Sequence, residues 1–290
     1  MRVLVAGWFS IEGGGATAGD ILVRDTICAW LRTRRIEHDI AQERTLGAGV
    51  DWFRVSPARY THLIFACGPV GPELAVAELI ERFADCRRVA LNVTLVGDRR
   101  WRPFDLLLER DGNGRTRPDL AMTSPHGGAP VVAVVRIHHQ VEYAGAWPEI
   151  AHGAFDRLLA SREAAPFAVD TVLDASVPGR RTAGEVQALL GRADVVLTTR
   201  LHGLVLALAQ GVPALAIDPI AGGAKVLAQA RALDWPASMT VETLDDATVE
   251  RHFDWCLTDE ARDRARTSAV GAFQSAAEVE RVLGAHLARG

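Results

Sequence analysis

The chain has 290 residues, enough for one large domain or two of ordinary size. Apolar residues make up 49% and charged residues 23%, which excludes a disordered chain, and a net charge of −4 gives no overall reason to expect nucleic acid. The four cysteines, Cys28, Cys67, Cys86 and Cys256, form no C-x-x-C pair; this argues against a zinc site and fits a reducing, cytoplasmic setting. The run Met1–Gly7 is too short for a signal peptide, and no stretch is long enough to cross a bilayer.

Arg2 to Ala6 reads as a buried strand, followed by a glycine-rich turn from Gly7 to Asp20 and a helix from about Asp20 to Arg34. Gly13, Gly15 and Ala18 formally fit G-x-G-x-x-A, but several residues separate them from the strand, so the dinucleotide fingerprint is not met. The loop reads either as a tight turn or as a ligand-facing segment whose amides, around Gly15 and Gly19, approach a phosphate. His62–Cys67 is a strand, Pro72–Phe83 a helix opened by its proline, and Arg88–Val93 and Phe104–Glu109 are further strands. Asp119–Met122 is a brief apolar segment, expected to be the last strand of this half.

Thr123–Pro130, with two Pro and two Gly, is the best linker in the chain and divides it into 1–125 and 126–290. Strands at Pro130–Ile137 and Phe167–Leu173 and helices at Trp147–Ser161 and Thr182–Arg192 open the second half. The most informative stretch is next. Asp194–Thr198 is a β-branched strand, Gly203–Gln210 an apolar helix stopped by Gly211, and Ala214–Ile217 a second strand, together one βαβ unit. Ala224–Leu233, Val241–Cys256 and Thr258–Ala288 are helical, the last a charged, solvated helix free to pack back on the first half. Strands alternating with helices in both halves give the fold class α/β, two Rossmann-like parallel-sheet domains facing each other across a cleft.

Arg200 and His202 lie in the turn between a parallel strand's carboxyl end and a helix start. Open α/β sheets bind ligands there, and the helix N-terminus favours an anion. Arg200 offers a planar fork for phosphate or carboxylate, and His202 a proton near neutral pH. The alternatives are an Arg200 paired with a neighbouring acid and a His202 hydrogen-bonded in the core. Gly203 permits close backbone approach or tight helix packing, without the two excluding each other. Lys225, after Gly222-Gly223, can reach the same anion, and Arg136 ends a strand facing the expected cleft. Asp20 is a base, an acceptor-binding group or a helix cap. The adjacent His138-His139 pair points apart and lacks a third ligand, so no metal is expected.

Thr199-Arg-Leu-His-Gly203, Ala207, Gly211-Val-Pro213 and Lys225 resemble the polysaccharide pyruvyl transferase family. Ala18-Gly-Asp20, Arg110-Asp111 with Asp119-Leu-Ala121, and Arg136 give looser matches. The resemblance implies a two-domain arrangement of the GT-B glycosyltransferase type, with the first half as acceptor side and the second as donor side. It implies transfer of pyruvate from phosphoenolpyruvate, a substrate and not a cofactor, onto hydroxyls of a sugar, glycan or other hydroxylated acceptor. It makes His202, Arg200 and Asp20 the candidate catalytic residues and Arg136, Gly203, Lys225, Gly15 and Gly19 the candidate substrate contacts. A nucleotide-sugar glycosyltransferase and a non-catalytic anion-binding protein of the same fold remain the alternatives. A homo-oligomer is compatible with the sequence.

Overall fold

The computed structural model describes residues 1–13, 15–98, 100–111, 116–125, 128–138 and 146–288. They form two compact units, Met1–His126 and Gly127–Gly290, each an α/β unit around a five-stranded parallel sheet.

The first unit carries β1 (Arg2–Gly7), β2 (Glu37–Ile40), β3 (His62–Ala66), β4 (Pro69–Val70), β5 (Arg87–Leu91), β6 (Thr94–Leu95) and β7 (Leu106–Leu108), with α1 (Ala18–Thr33) and α2 (Val76–Arg82). Its sheet runs β2-β1-β3-β5-β7, and β4 pairs with β6 separately. Successive side chains of a strand point to opposite faces. Val3 and Val5 therefore pack with Val23 and Ile27 of α1, while Leu4 and Ala6 pack with Leu63, Phe65 and the α2 residues Leu79 and Ile80. Burial on both faces explains why β1 is a continuous apolar run.

The second unit carries β8 (Val131–Val135), β9 (Ala165–Ala168), β10 (Val195–Thr198), β11 (Ala214–Asp218) and β12 (Ser238–Thr240). Its helices are α3 (Pro148–Ser161), α4 (Ala183–Leu190), α5 (Leu201–Ala209), α6 (Lys225–Ala232), α7 (Asp246–Cys256) and α8 (Asp259–Leu287). One core joins both faces of its sheet, order β12-β11-β10-β8-β9. In both units, then, the strand order is second, first, third, fourth, fifth. The chain reverses its winding between the first and third strands, and such a reversal leaves a crevice beyond the strands' carboxyl ends.

Several elements differ from the sequence reading. β4 and β6 were not read, and the helix expected over Val241–Cys256 begins at Asp246 after a 3-10 turn at Val241–Thr243. Asp119–Met122 is not a strand: Leu120–Thr123 forms a short 3-10 turn, capped by the Asp119 carboxylate, which accepts the Ala121 N–H at 2.8 Å. The fifth strand is instead β2, Glu-His-Asp-Ile, which carries no apolar run because it is an edge strand. β12, at the opposite edge of the other sheet, was hidden for the same reason, with only three residues. β9 begins two residues earlier than expected and ends at Ala168. Helix α8 starts under a Thr258 cap and buries Ala261, Ala265 and Ser268 in its own unit, while residues 270–288 are exposed.

Candidate functional site

The reversal point of the second unit lies between β8 and β10, and the chain ties these two strand ends together. Thr199, fully buried, donates its N–H to Val135 O at 3.1 Å and accepts the Ile137 N–H on Oγ1 at 2.8 Å. Thr198 fixes the following turn: its Oγ1 accepts the Arg200 N–H at 2.9 Å and donates to Arg200 O at 3.0 Å. Arg200 is then the extended residue that caps the start of α5. Gly203, one turn in, lies against the sheet. A Cβ there would sit 2.1 Å from Thr198 Oγ1 and 3.0 Å from Val135 Cγ1, so this glycine is required for close helix–strand packing.

The backbone so ordered presents a cluster of cations around one carboxylate. Arg200 Nη1 donates to Asp170 Oδ1 at 2.7 Å; Asp170 Oδ2 takes Arg180 Nη1 at 2.7 Å and His138 Nε2 at 2.9 Å; and the Val172 N–H donates to Oδ1 at 2.9 Å. Burial pushes the Asp170 carboxyl up, but the hydrogen bonds from His138 and Val172 and the Arg200 charge outweigh it, and its pKa falls below the ordinary 3.8. Arg136, directly after β8, pairs with Asp156 of α3. Arg136, His138, Asp156, Asp170 and Arg180 line a pocket of about 640 Å³ whose remaining wall is apolar, with Phe167 and Leu189. Arg180 Nε is buried in this structure without an acceptor.

The sequence-read residues fall in several places. Arg136 lines the pocket, and Arg200 reaches it through Asp170. His202 is exposed and lines a different, apolar cavity of about 560 Å³ between α5, α6 and α8, beside Leu233 and Phe273. Lys225 is the first residue of α6, half-buried, behind a loop ordered by Asp218, whose carboxylate accepts the N–H groups of Ile220, Ala224 and Leu227 at 3.1, 2.7 and 3.0 Å. Asp20, Gly15 and Gly19 belong to the first unit. Asp20 completes a capping box with Thr17, accepting both its N–H and its hydroxyl at 2.8 Å. Gly15 has a left-handed φ of 72° with open space around it, and Gly19 meets only Thr17. Arg110 bridges Asp119 at 2.7 Å and Asp111 at 3.0 Å. His139, of the adjacent histidine pair, lies outside the described residues.

Sequence reasoning missed Asp170 and Arg180 and set His138 aside. Asp170 stands just past the end of β9, the position at which β8 and β10 also present their polar residues, and that placement was the available signal. Among the described residues no cluster of three or more His, Cys, Asp or Glu side chains could hold a metal ion, and no helix is long and apolar enough to cross a membrane.

The strand order defines a doubly wound α/β protein of two units, the second with a pocket lined by Arg136, His138 and Arg180 and by Asp156 and Asp170. Residues 151–219 match the family model described as polysaccharide pyruvyl transferase, so the resemblance carried by Thr199-Arg-Leu-His-Gly203 is shown over the stretch from α3 to the end of β11, and the family is one of transferases. Among solved structures, the chain is similar to the glycotransferase of kitacinnamycin (13% identity, 97% of this chain and 98% of that chain, TM-score 0.33) and to the spinosyn forosaminyltransferase SpnP (12% identity, 98% and 99%, TM-score 0.32). At this level of likeness neither neighbour's substrates bear on this chain. No curated protein matches it.

Proposed function

We propose that the chain transfers a pyruvyl group from phosphoenolpyruvate to hydroxyls of a sugar or glycan acceptor, with release of phosphate. The carrying observation is the pocket in which Arg136 and Arg180, with Arg200 behind them on Asp170, converge at the reversal point of the second sheet. Phosphoenolpyruvate bears a phosphate and a carboxylate on adjacent positions, and guanidinium forks match both groups. The orphaned Arg180 Nε supplies a donor for such an oxygen.

One acceptor hydroxyl adds to C2 and gives its proton to a base. The methylene carbon takes a proton from an acid and becomes a methyl group, so that the first hydroxyl's proton replaces the one spent. The C2–O bond to phosphate breaks, a second acceptor hydroxyl closes on C2 as a ketal, and its proton leaves with the phosphate. Cations around the departing phosphate stabilise the charge that develops on it. A proton donor for the methylene carbon is also needed. His202, in the first turn of α5, is one candidate for that role, its alternative being contact with the phosphate. A second reading has a specific observation behind it: His138, held by Asp170 at 2.9 Å, lines the same pocket as Arg136 and Arg180, whereas His202 lines another.

The test is thermal stabilisation by phosphoenolpyruvate, by UDP and by UDP-sugars in turn, since a ligand bound only by the native state raises the melting temperature. Stabilisation by phosphoenolpyruvate that is lost in Arg200→Ala and Arg136→Ala supports the reading. Stabilisation by UDP alone transfers it to a nucleotide-sugar glycosyltransferase, and no stabilisation by any of them to a non-catalytic protein.

A further inference from the structure

His152 stands beside the reversal point of the second sheet, half-buried in the second turn of α3. Its Nε2 lies 3.4 Å from Thr199 Oγ1. Thr199 is fully buried, and its Oγ1 already accepts the Ile137 N–H at 2.8 Å. A hydroxyl also carries one proton to donate, and a buried donor left unpaired is costly. Among the described residues, His152 Nε2 is the acceptor this hydroxyl finds. The hydroxyl therefore donates to Nε2, which makes the imidazole neutral, with its proton on Nδ1.

The bond joins two segments that carry cations. Ile137 is flanked by Arg136 and His138, and Thr199 is followed by Arg200. The line from the Ile137 N–H through the Thr199 hydroxyl to His152 fastens both segments to α3. One turn farther along that helix, Asp156 pairs with Arg136. Without an acceptor at His152, the Thr199 side chain is free to turn about χ1 toward another partner, and its hold on Ile137 goes with it.

The charges around the ring keep it in the accepting form. Burial first, and then the Arg136 guanidinium, push His152 below the ordinary histidine range; His138 acts in the same direction, while Glu149 and Asp156 on α3 oppose them. Helix α7 also packs on α3, but its Asp246 and Asp254 pair with Arg157 and Arg162 farther along. Protonation puts a second N–H where the Thr199 hydroxyl needs a lone pair.

We propose that His152 is a positioning residue: as a neutral acceptor for the Thr199 hydroxyl, it holds the segments that carry Arg136 and Arg200 at one fixed spacing. Its use rests on the pyruvyl-transfer reading, which makes phosphoenolpyruvate the anion those arginines grip. The hydrogen bond itself is measured without a ligand.

Proton–nitrogen correlation spectra of the histidine rings, on the full chain at neutral pH, read the tautomer. The His152 signals are assigned by their loss in His152→Gln. The expected ring has its proton on Nδ1 and none on Nε2. Amide exchange at Ile137 and phosphoenolpyruvate affinity are then compared in the parent, in His152→Gln, whose carboxamide oxygen takes the same hydroxyl, and in His152→Leu, which offers no acceptor. His152→Leu is expected to exchange Ile137 about tenfold faster and to bind about tenfold more weakly, with His152→Gln close to the parent. The ratio of parent to His152→Gln affinity falls on the acidic side of the ordinary histidine range, because only the parent loses its acceptor; His138 and the ligand phosphate titrate in both and cancel. In a Thr199→Val background, His152→Leu costs nothing more.

A proton on Nε2, equal losses in the Leu and Gln variants, an unchanged Ile137 rate in His152→Leu, or full additivity with Thr199→Val overturns the proposal. Where His152→Leu fails to fold, the tautomer and the pH ratio decide alone. If the parent binds no phosphoenolpyruvate but tautomer and Ile137 exchange come out as expected, the donor reading fails and the fastening of the two segments stands. The opposite pattern keeps the donor and sinks His152.

Discussion

Asp170 and Arg200 face each other at 2.7 Å across the ends of β9 and β10, two strands that are not neighbours in the sheet, with the end of β8 between them. The same carboxylate also holds Arg180 and His138. Removing its charge leaves Arg200 without its anion and Arg180 with Asp174 alone, at 3.3 Å, so Asp170→Asn is expected to lower stability at pH 7 by ~1–3 kcal/mol. The pH dependence has a definite sign. The folded pKa of Asp170 lies below 3.8, so its stabilisation is complete above that value and is lost as pH falls through the lower folded value. Urea titrations of both proteins at neutral and strongly acidic pH are expected to converge at the acidic end. A constant difference would show that the carboxylate's charge is not what Asp170 contributes.

Gly203→Ala is expected to cost ~1–3 kcal/mol, the range for overpacking a closed core. The added methyl group meets Thr198 Oγ1 at 2.1 Å and Thr198 Cβ at 2.9 Å, and neither belongs to a side chain that can swing away, since Thr198 is buried and hydrogen-bonded at both ends of the turn. A lowered urea midpoint with an unchanged slope is the expected signature. Gly222, also in a loop of this unit but with open space around it, is the control for a glycine whose Cβ meets nothing, although its φ of 77° carries its own cost.

The central βαβ unit was legible because its strands are buried on both faces, which makes Val195–Thr198 and Ala214–Asp218 nearly pure apolar runs. Edge strands lack that signal, and Glu37–Ile40 and Ser238–Thr240 passed unseen. Arg200 could be located from its place between strand and helix, but its direction could not. A side chain's partner depends on which strand end lies across from it, and strand order was not available from local pattern. Asp170 therefore stayed invisible, although it organises the cations. His202 shows the same limit in reverse. Two residues beyond Arg200, it turns toward α6 and α8, because adjacent helical positions face different directions.

Asp20 is tied into the start of α1 by two 2.8 Å hydrogen bonds from Thr17. Loss of a capping residue costs ~0.5–2 kcal/mol. Asp20→Ala and Thr17→Ala are each expected to fall in that range, and the double variant to cost less than their sum, because both remove the same contacts. Full additivity by chemical denaturation would mean that the two side chains act separately. If Asp20 also serves the reaction, Asp20→Ala loses turnover well beyond Thr17→Ala at equal stability.

All four cysteines are free and buried. Burial pushes the Cys67 thiol up to about 12, against a hydrogen bond from Asn92 that lowers it, and burial alone raises Cys256 strongly. The thiolate is the reacting form. The native protein at pH 8 is therefore expected to react slowly with a thiol-specific disulfide reagent and to release the full count of four thiols only in denaturant. A fast-reacting thiol in the native state would contradict the placement of these side chains.

The two histidines separate the readings of proton donation. His202 is exposed, and His138 has 68% of its side chain accessible, so His202→Gln and His138→Gln are each expected to keep stability within ~0.5 kcal/mol of the parent. Loss of a general acid costs about 100-fold or more in turnover. If His202 donates the proton, its variant loses that much phosphate release from phosphoenolpyruvate while retaining donor binding, and His138→Gln changes mainly donor affinity through Asp170. If His138 donates, the large loss of turnover moves to His138→Gln, and His202→Gln remains active. Deuterium incorporation into the product methyl group, followed in heavy water for both variants, tells which loss falls on the protonation step. Full activity in both would remove the two imidazoles from the reaction and leave the pocket as a binding site whose acid is elsewhere.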